Sequence, residues 1–222
     1  MEIGVTFTHR ERADRSPEQN KCLKIRPAGH QTAVTTLFEG GHTYMNITVY
    51  LGASIGNDPA LKTAVRELGT WIGQSGNALV YGGSEAGLMG ELAKAVLAAG
   101  GRVTGVEPRF FIEAGYDFDE VTELIVTETM AERKTKMIEL GQAFIAFPGG
   151  TGTLEEISEV MSKISISHLH APCIVYDLDG FWQGLKLQLE HMTEKGLFKK
   201  ETMNKINFVQ TLEEIKELLE KA

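Results

Sequence analysis

Cysteine is scarce in this 222-residue chain, which has only Cys22 and Cys173 and shows no metal-ligand spacing of histidines and cysteines. The sequence therefore offers neither a disulfide framework nor a zinc site. No apolar run is long enough to cross a membrane, and no secretory signal stands out. We expect a cytoplasmic protein with no metal and no membrane contact. Cys173 lies in an apolar run and is predicted to be a small buried core residue.

Positive charge is also in short supply. The 22 Lys and Arg residues face 30 Asp and Glu residues, which gives a formal net charge of −8 at pH 7. Nucleic-acid polymers bind to basic surfaces, so this balance argues against DNA or RNA as a partner. A mononucleotide needs only a few local donors and stays compatible with the charge. The hydrophobic fraction of 42% is enough for a full core.

Residues 1–45 differ from the rest of the chain, because they show little sustained periodicity and hold three of the six histidines. Met45 stands directly before the first clear strand. We predict a flexible extension, an expression-vector remnant or an over-long reading frame. A short docked strand or helix is the alternative interpretation.

From residue 46 onward, strand-like and helix-like runs alternate. Strands rich in Val, Ile and Leu that alternate with helices are typical of a parallel sheet covered on both faces. Because crossovers in such sheets are right-handed, the pattern predicts a doubly wound, mainly parallel α/β fold of the Rossmann type. The predicted strands are 47–51, 78–81, 102–106, 123–126, 143–147, 173–176 and 207–209. The predicted helices are 59–74, 88–99, 131–140, 154–166, 181–195, 200–205 and 212–219, the last with a capping box of Thr211 and Glu214.

A glycine-rich run lies between the predicted strand 143–147 and the helix that follows it. Glycines let the backbone approach an anion, and the free N–H groups at a helix start point towards it. We therefore predict a phosphate-binding turn. Its residues are Gly149, Gly150, Thr151, Gly152 and Thr153.

Two carboxylates, Glu155 and Glu156, follow this turn, although acids are poor phosphate ligands. Glu156 can complete a capping box with Thr153 and serve only the helix start. It can also act on a sugar beside the phosphate, which costs electrostatic energy unless a cation such as Arg133 compensates. The residues by themselves leave both interpretations open.

Two further segments bear on the site. A second glycine cluster, 82–90, also joins a strand to a helix, where parallel sheets bind ligands, although alone it is equally well a tight packing turn. The predicted helix 131–140 carries Arg133 and Lys134. One interpretation is that they form an ordinary charged face of the helix. The other is that the helix starts near the phosphate turn, where the two side chains can bind an anion.

Together the motifs resemble the LOG (LONELY GUY) family, the cytokinin riboside 5'-monophosphate phosphoribohydrolases that are often labelled lysine decarboxylases. The segment from Pro148 to Glu156 matches the pattern P-G-G-x-G-T-x-x-E, and 82–90 and 130–134 precede it in the family's order. The match spans roughly residues 46–200. It implies that residues 46–222 form one Rossmann-like, nucleotide-binding catalytic domain.

The resemblance also implies a reaction and a set of roles. Members of the family split the N-glycosidic bond of a nucleoside 5'-monophosphate into free base and ribose 5-phosphate, as homodimers or larger assemblies. We expect a homodimer and no cofactor. Arg133 and Glu156 take the place of the catalytic pair, and the turn 149–153 with Lys134 that of the phosphate site. Gly83, Ser84 and Met89 fall along the nucleotide pocket. Ala131 stands where the family commonly has His, which puts one pocket contact in doubt.

Two other functions compete with this one. A non-catalytic nucleotide-binding or carrier protein can have the same fold, because a fold does not determine a function. An amino-acid decarboxylase would need a lysine that holds pyridoxal phosphate, and no lysine here has a supporting context. The motifs leave open whether the base is a prenylated adenine or plain adenine.

Overall fold

The computed structural model describes residues 25–27 and 44–221. They form eight strands and eight α-helices. The strands are β1 (Ile25–Pro27), β2 (Asn46–Tyr50), β3 (Ala78–Tyr81), β4 (Arg102–Pro108), β5 (Glu123–Thr127), β6 (Ala143–Ala146), β7 (Cys173–Tyr176) and β8 (Ile206–Val209). The helices are α1 (Pro59–Gln74), α2 (Gly87–Ala98), α3 (Arg109–Glu113), α4 (Met130–Leu140), α5 (Thr151–Ser165), α6 (Gln183–Glu194), α7 (Lys200–Met203) and α8 (Leu212–Glu220).

The strands form one parallel sheet in the order β1-β5-β4-β3-β2-β6-β7-β8. From β2 the chain moves outward through β3 and β4 to β5, and it returns through α4 to β6 on the other side of β2. The strand order therefore reverses between β2 and β6. Loops that follow two such strands diverge, and the crevice between them is where open α/β sheets bind ligands.

Helices cover both faces of the sheet, which confirms the doubly wound fold. On one face α1, α2 and α8 pack their apolar side chains against the strands, and on the other face α4, α5 and α6 do so. Every residue of β6 and β7 is buried, Cys173 among them. Burial on both faces explains why these strands are continuous apolar runs in the sequence.

Local signals account for several helix ends. The Asp58 side chain accepts a hydrogen bond from the backbone of Ala60, and Pro59 occupies the first turn, so α1 begins there. The capping box predicted for Thr211 and Glu214 is present at the start of α8. In the part of the chain that the structure describes, none of the helices combines the length and apolar character needed to cross a membrane.

Most predicted elements are found, with three differences. The helix predicted for 154–166 begins at Thr151, inside the glycine-rich turn. A short helix, α3, was not predicted. Within 1–45, Ile25–Pro27 forms strand β1 beside β5. The residues outside the described part include nearly all of the rest of that segment, so its prediction as an extension stays a prediction.

Candidate active site

Loops that follow β2, β3 and β6 meet at the carboxyl end of the sheet. A Cβ atom placed on Gly149 would lie 2.9 Å from the backbone nitrogen of Gly52, and one placed on Gly87 would lie 2.6 Å from the carbonyl carbon of Ser54. Gly87 also has a φ of +56°, which favours glycine. The backbones thus touch where larger residues would hold them apart. The two glycine clusters of the sequence belong to one site.

The turn after β6 has the form that anion binding requires. Gly150 is the N-cap residue of α5, and among the described residues no side chain caps this helix start. Gly150, Thr151 and Gly152 are exposed, while Thr153 is buried with its hydroxyl against Gly149. The first N–H groups of α5 are thus left to a ligand.

Gly150 and Gly152 are not required by the protein's own packing. A Cβ atom on either would have no atom of the described residues within 4 Å, and neither residue has a positive φ. Gly149 differs, because a Cβ atom there would overlap Thr153 Oγ1. Free space above Gly150 and Gly152 is what a bound anion would use.

A Gly152→Ala variant should separate what the protein's own packing requires at this position from what anion binding requires. We expect its free energy of unfolding to stay unchanged or rise by up to about 1 kcal/mol, because alanine suits a helix better than glycine. We expect the KM for a nucleoside monophosphate to rise on the order of tenfold, because the new methyl group intrudes on the anion at the helix start.

The matched control is Gly184→Ala. Gly184 is also the second residue of a helix, α6, and a Cβ atom on it would likewise meet nothing within 4 Å among the described residues. It should gain similar stability with no change in KM. Urea denaturation and initial rates measure both variants, and an unchanged KM for Gly152→Ala would speak against the phosphate turn.

Arg133 and Glu156 form a buried ion pair beside the turn. Arg133 Nη1 donates to Glu156 Oε1 at 2.5 Å, and Arg133 Nε donates to the carbonyl oxygen of Val106 at 3.0 Å. The two side chains are only 9% and 10% exposed. One guanidinium therefore links the carboxyl end of β4 to the N-terminal part of α5.

Helix ends and a glycine place this guanidinium. Thr129 caps α4 by accepting from the backbone of Glu132, so Arg133 falls in the first turns of α4, at the edge of the sheet. A Cβ atom on Gly82 would overlap Arg133 Nη2 and lie 2.8 Å from Met89 Sδ. The second glycine cluster therefore makes room for the arginine.

The interpretation of Glu156 as a capping residue is wrong. Helix α5 starts two residues before Thr153, so Glu156 lies beyond the capping position, and its carboxylate binds Arg133 instead. Burial raises the pKa of Glu156 above its usual range, and the Arg133 guanidinium opposes part of that rise. A raised pKa makes a carboxylate a stronger base at neutral pH.

The predicted pocket residues Gly83, Ser84 and Met89 all lie in or beside the turn after β3. Gly83 has a φ of +93°, and a Cβ atom on it would overlap the carboxylate of Glu107. Ser84 is buried, and its Oγ accepts from the backbone nitrogen of Ala86 at 3.1 Å. Met89 is half-buried against Gly82 and Arg133. Their contacts to a nucleotide stay predictions.

Lys134 points to the carboxylates of α5. Its Nζ lies 2.6 Å from Glu155 Oε1 and 3.5 Å from Glu159 Oε2, and the Glu155 carboxylate raises the pKa of Lys134. In this arrangement the ammonium group is engaged by two acids, so its predicted contact to phosphate requires a change of partner. That contact stays a prediction.

The sequence interpretation overlooked Glu107, which lies near the carboxyl end of β4 and is buried beside Gly83. A signal for it existed, because an acid that directly follows the apolar end of a predicted strand, Gly105-Val106, is uncommon. Gly52, which lets the loop after β2 approach Gly149, was overlooked as well.

Comparison with known proteins identifies the family of this chain. Residues 89–219 match a family described as "Possible lysine decarboxylase". The chain is 34% identical over 194 residues to the cytokinin riboside 5'-monophosphate phosphoribohydrolase of Rhodococcoides fascians, covering 86% of this chain and 96% of the relative. The chain belongs to the LOG family. The LOG-family protein LOG1 of Arabidopsis thaliana, also named a cytokinin riboside 5'-monophosphate phosphoribohydrolase, is 35% identical over 153 residues, 69% of this chain and 72% of the relative.

Solved structures share the fold of this LOG-family chain at lower identity. The molybdenum cofactor binding protein of Rippkaea orientalis has a TM-score of 0.60 at 20% identity, covering 80% of this chain and 96% of that one. The Moco carrier protein of Chlamydomonas reinhardtii also has a TM-score of 0.60 at 20% identity, covering 81% and 99%. At this identity the likeness shows the fold alone.

Proposed function

We propose that this chain hydrolyses the N-glycosidic bond of an adenine nucleoside 5'-monophosphate to the free base and ribose 5-phosphate. The observation that carries the proposal is the buried Arg133–Glu156 pair beside an uncapped helix start. Relatives at 34% and 35% identity are named for this class of reaction. A carboxylate held next to an anion site in the sheet's crevice has the chemistry that the reaction needs.

In the proposed reaction the 5'-phosphate binds the N–H groups of the turn 149–153. The bond between C1' and the base then breaks with positive charge growing on the ribose ring, as in glycoside hydrolysis. Glu156 stabilises that charge and takes a proton from the attacking water, whose oxygen bonds to C1'. The bonding electrons leave with the base, which gains a proton. Arg133 engages Oε1 of Glu156 and so orients the carboxylate towards the sugar.

The phosphate supplies binding energy at a distance from the bond that breaks, and this energy can orient the sugar over Glu156. We therefore expect kcat/KM for AMP to exceed that for adenosine by at least about 10²-fold. Release of adenine, followed by liquid chromatography, measures both rates. The Gly152→Ala variant should reduce the ratio of kcat/KM for AMP to kcat/KM for adenosine. Comparable turnover of the two substrates would contradict the proposal.

The same assay separates hydrolysis from the carrier alternative. A carrier would bind AMP without releasing adenine, and a Glu156→Gln substitution would leave its binding unchanged. The decarboxylase interpretation gains no support from the site, because Lys134, the lysine beside Arg133, is held by Glu155 and Glu159.

We further propose a cytoplasmic homodimer, as the family resemblance implies. The preferred base follows from a panel of nucleoside monophosphates, prenylated adenine among them, assayed for ribose 5-phosphate. Faster hydrolysis of the prenylated nucleotide would favour cytokinin production, and faster hydrolysis of AMP would favour nucleotide salvage.

A further inference from the structure

Glu107 is a buried acid to which the proposed mechanism gives no role. The residue is 3% exposed, and its Oε2 is buried with no hydrogen-bond partner among the described residues. An ionised carboxylate in such a place is strongly unfavourable, and the group takes up a proton instead. Burial accordingly raises the pKa of Glu107 to about 8.

Two charged side chains of the described residues act on Glu107 in opposite directions. Arg133 from α4 lowers the pKa of Glu107, and Asp117, before β5, raises it. Tyr81 from β3 has a buried hydroxyl with no hydrogen-bond partner in the described part of the chain, and burial, followed by the charges of Glu107, Glu85 and Asp117, raises its pKa. Arg133 is therefore the cation to which an ionised Glu107 would turn.

Glu107 also touches the parts that hold the catalytic pair. It follows Val106, whose carbonyl oxygen accepts the hydrogen bond from Arg133 Nε. Its carboxyl group lies against Gly83, where a Cβ atom would overlap Oε2. Gly82, the residue before, lies against the guanidinium. A change in the charge of Glu107 would therefore act on the arginine and on the turn that covers it.

We propose that Glu107 is a positioning residue for the Arg133–Glu156 pair and that it works as a neutral acid. This inference rests on the proposed function. With Glu107 protonated, Arg133 faces one carboxylate and holds Glu156 in place. Once Glu107 loses its proton, two carboxylates compete for one guanidinium, and the turn at Gly83 must shift to admit water. Hydrolysis should therefore decline at alkaline pH as Glu107 ionises.

A Glu107→Gln variant tests this role through the pH profile of kcat, because glutamine mimics the neutral acid. We expect its kcat at pH 7 to stay within about threefold of the wild type, and the alkaline decline near pH 8 to move upward by at least about one pH unit. The exposed Glu120→Gln, in the segment before β5, is the control and should keep the wild-type profile. An unmoved decline, or loss of activity at every pH in a folded variant, would overturn the inference.

Thermal unfolding tests the protonation of Glu107 without any substrate. Between the ordinary carboxyl pKa of 4.5 and about 8, the folded chain binds a proton at Glu107 that the unfolded chain has lost. Wild-type stability therefore falls as pH rises through this window, and that contribution is absent from Glu107→Gln. We expect the Tm of the variant minus that of the wild type to grow by about 5 °C or more from pH 5 to pH 8.

The Tm difference and the release of base distinguish a failure of this inference from a failure of the proposed function. A Tm difference that stays constant with pH overturns the neutral Glu107, whatever the chain hydrolyses. A Tm difference that grows, in a protein that releases no base from any nucleoside monophosphate, contradicts the proposed function and with it the positioning role. The same Tm comparison, made in a chain that carries Arg133→Leu, checks the coupling between Glu107 and Arg133. The guanidinium lowers the pKa of Glu107, so without it the fall in stability should extend to higher pH.

Discussion

Replacing Glu156 with glutamine should lower kcat for nucleoside 5'-monophosphate hydrolysis by about 10²–10⁴-fold. The amide has the shape of the carboxylate, and its oxygen can still accept the hydrogen bond that Arg133 Nη1 gives to Oε1. The fold and the site should therefore persist. The amide carries no charge to stabilise the ribose ring and cannot take a proton from water. KM should change little, because the turn 149–153 supplies the binding.

Glu155→Gln is the matched control for this substitution. Glu155 is the preceding residue, but its side chain is 61% exposed and pairs with Lys134 at 2.6 Å. An exposed ion pair contributes little to stability, and we expect kcat to stay within about twofold of the wild type. Initial rates of adenine release compare the variants. Equal losses of kcat at both positions would deny Glu156 a special role, and so would a wild-type rate for Glu156→Gln.

Replacing Arg133 with leucine should reduce both stability and activity. The substitution leaves the Glu156 carboxylate buried without its partner, which costs about 3–5 kcal/mol of unfolding free energy at neutral pH. It also frees the carboxylate from its position, and kcat should fall on the order of 10²–10³-fold. Arg133→Lys should recover only part of the activity, because one ammonium group cannot reproduce a planar fork that reaches Glu156 and Val106 together.

The stability loss in Arg133→Leu should depend on pH in a defined direction. The guanidinium lowers the pKa of Glu156 against the effect of burial, so its removal raises that pKa further. When a carboxyl group has a raised pKa in the folded state, the free energy of unfolding falls as pH rises. The stability that Arg133→Leu loses relative to the wild type should therefore be larger at pH 7 than at pH 5. Urea denaturation at both pH values measures it.

The double variant Arg133→Leu/Glu156→Gln removes the unpaired charge as well. It should be more stable at pH 7 than Arg133→Leu alone, because the two effects are coupled and not additive. If the loss of unfolding free energy in the double variant instead equals the sum of the losses in the two single variants, the Arg133–Glu156 ion pair does not contribute to stability.

Secondary structure was predictable where burial on both faces or a cap left a mark in the chain. The bounds predicted for 59–74, 78–81 and 173–176 match α1, β3 and β7. The start of α5 was misjudged because Thr153 and Glu156 fit a capping pattern. The helix begins at Thr151, and its N-cap residue, Gly150, has no side chain that could cap it. Helix α3, with five residues, is too short to show a helical period.

For the candidate site, the sequence pointed to segments that the structure brings together but not to their contacts. The turn 149–153, the glycine cluster after β3 and Arg133 were each identifiable from residue type and spacing. The packing of Gly82 against Arg133 and of Glu107 against Gly83 was not, because these contacts join segments that are far apart in the chain. A packing requirement between distant segments leaves no local pattern.

By itself, the sequence determined a doubly wound α/β fold and membership of the LOG family, and it predicted an anion-binding turn, because glycine spacing and apolar periodicity are local properties. Only the tertiary structure decided that Glu156 binds Arg133 and not its own helix start, and that Glu107 Oε2 is buried with no hydrogen-bond partner among the residues that the structure describes. The reason is physical. The charge state and the partner of an acid depend on which groups surround it in space and on how much water they exclude, and strand order determines both.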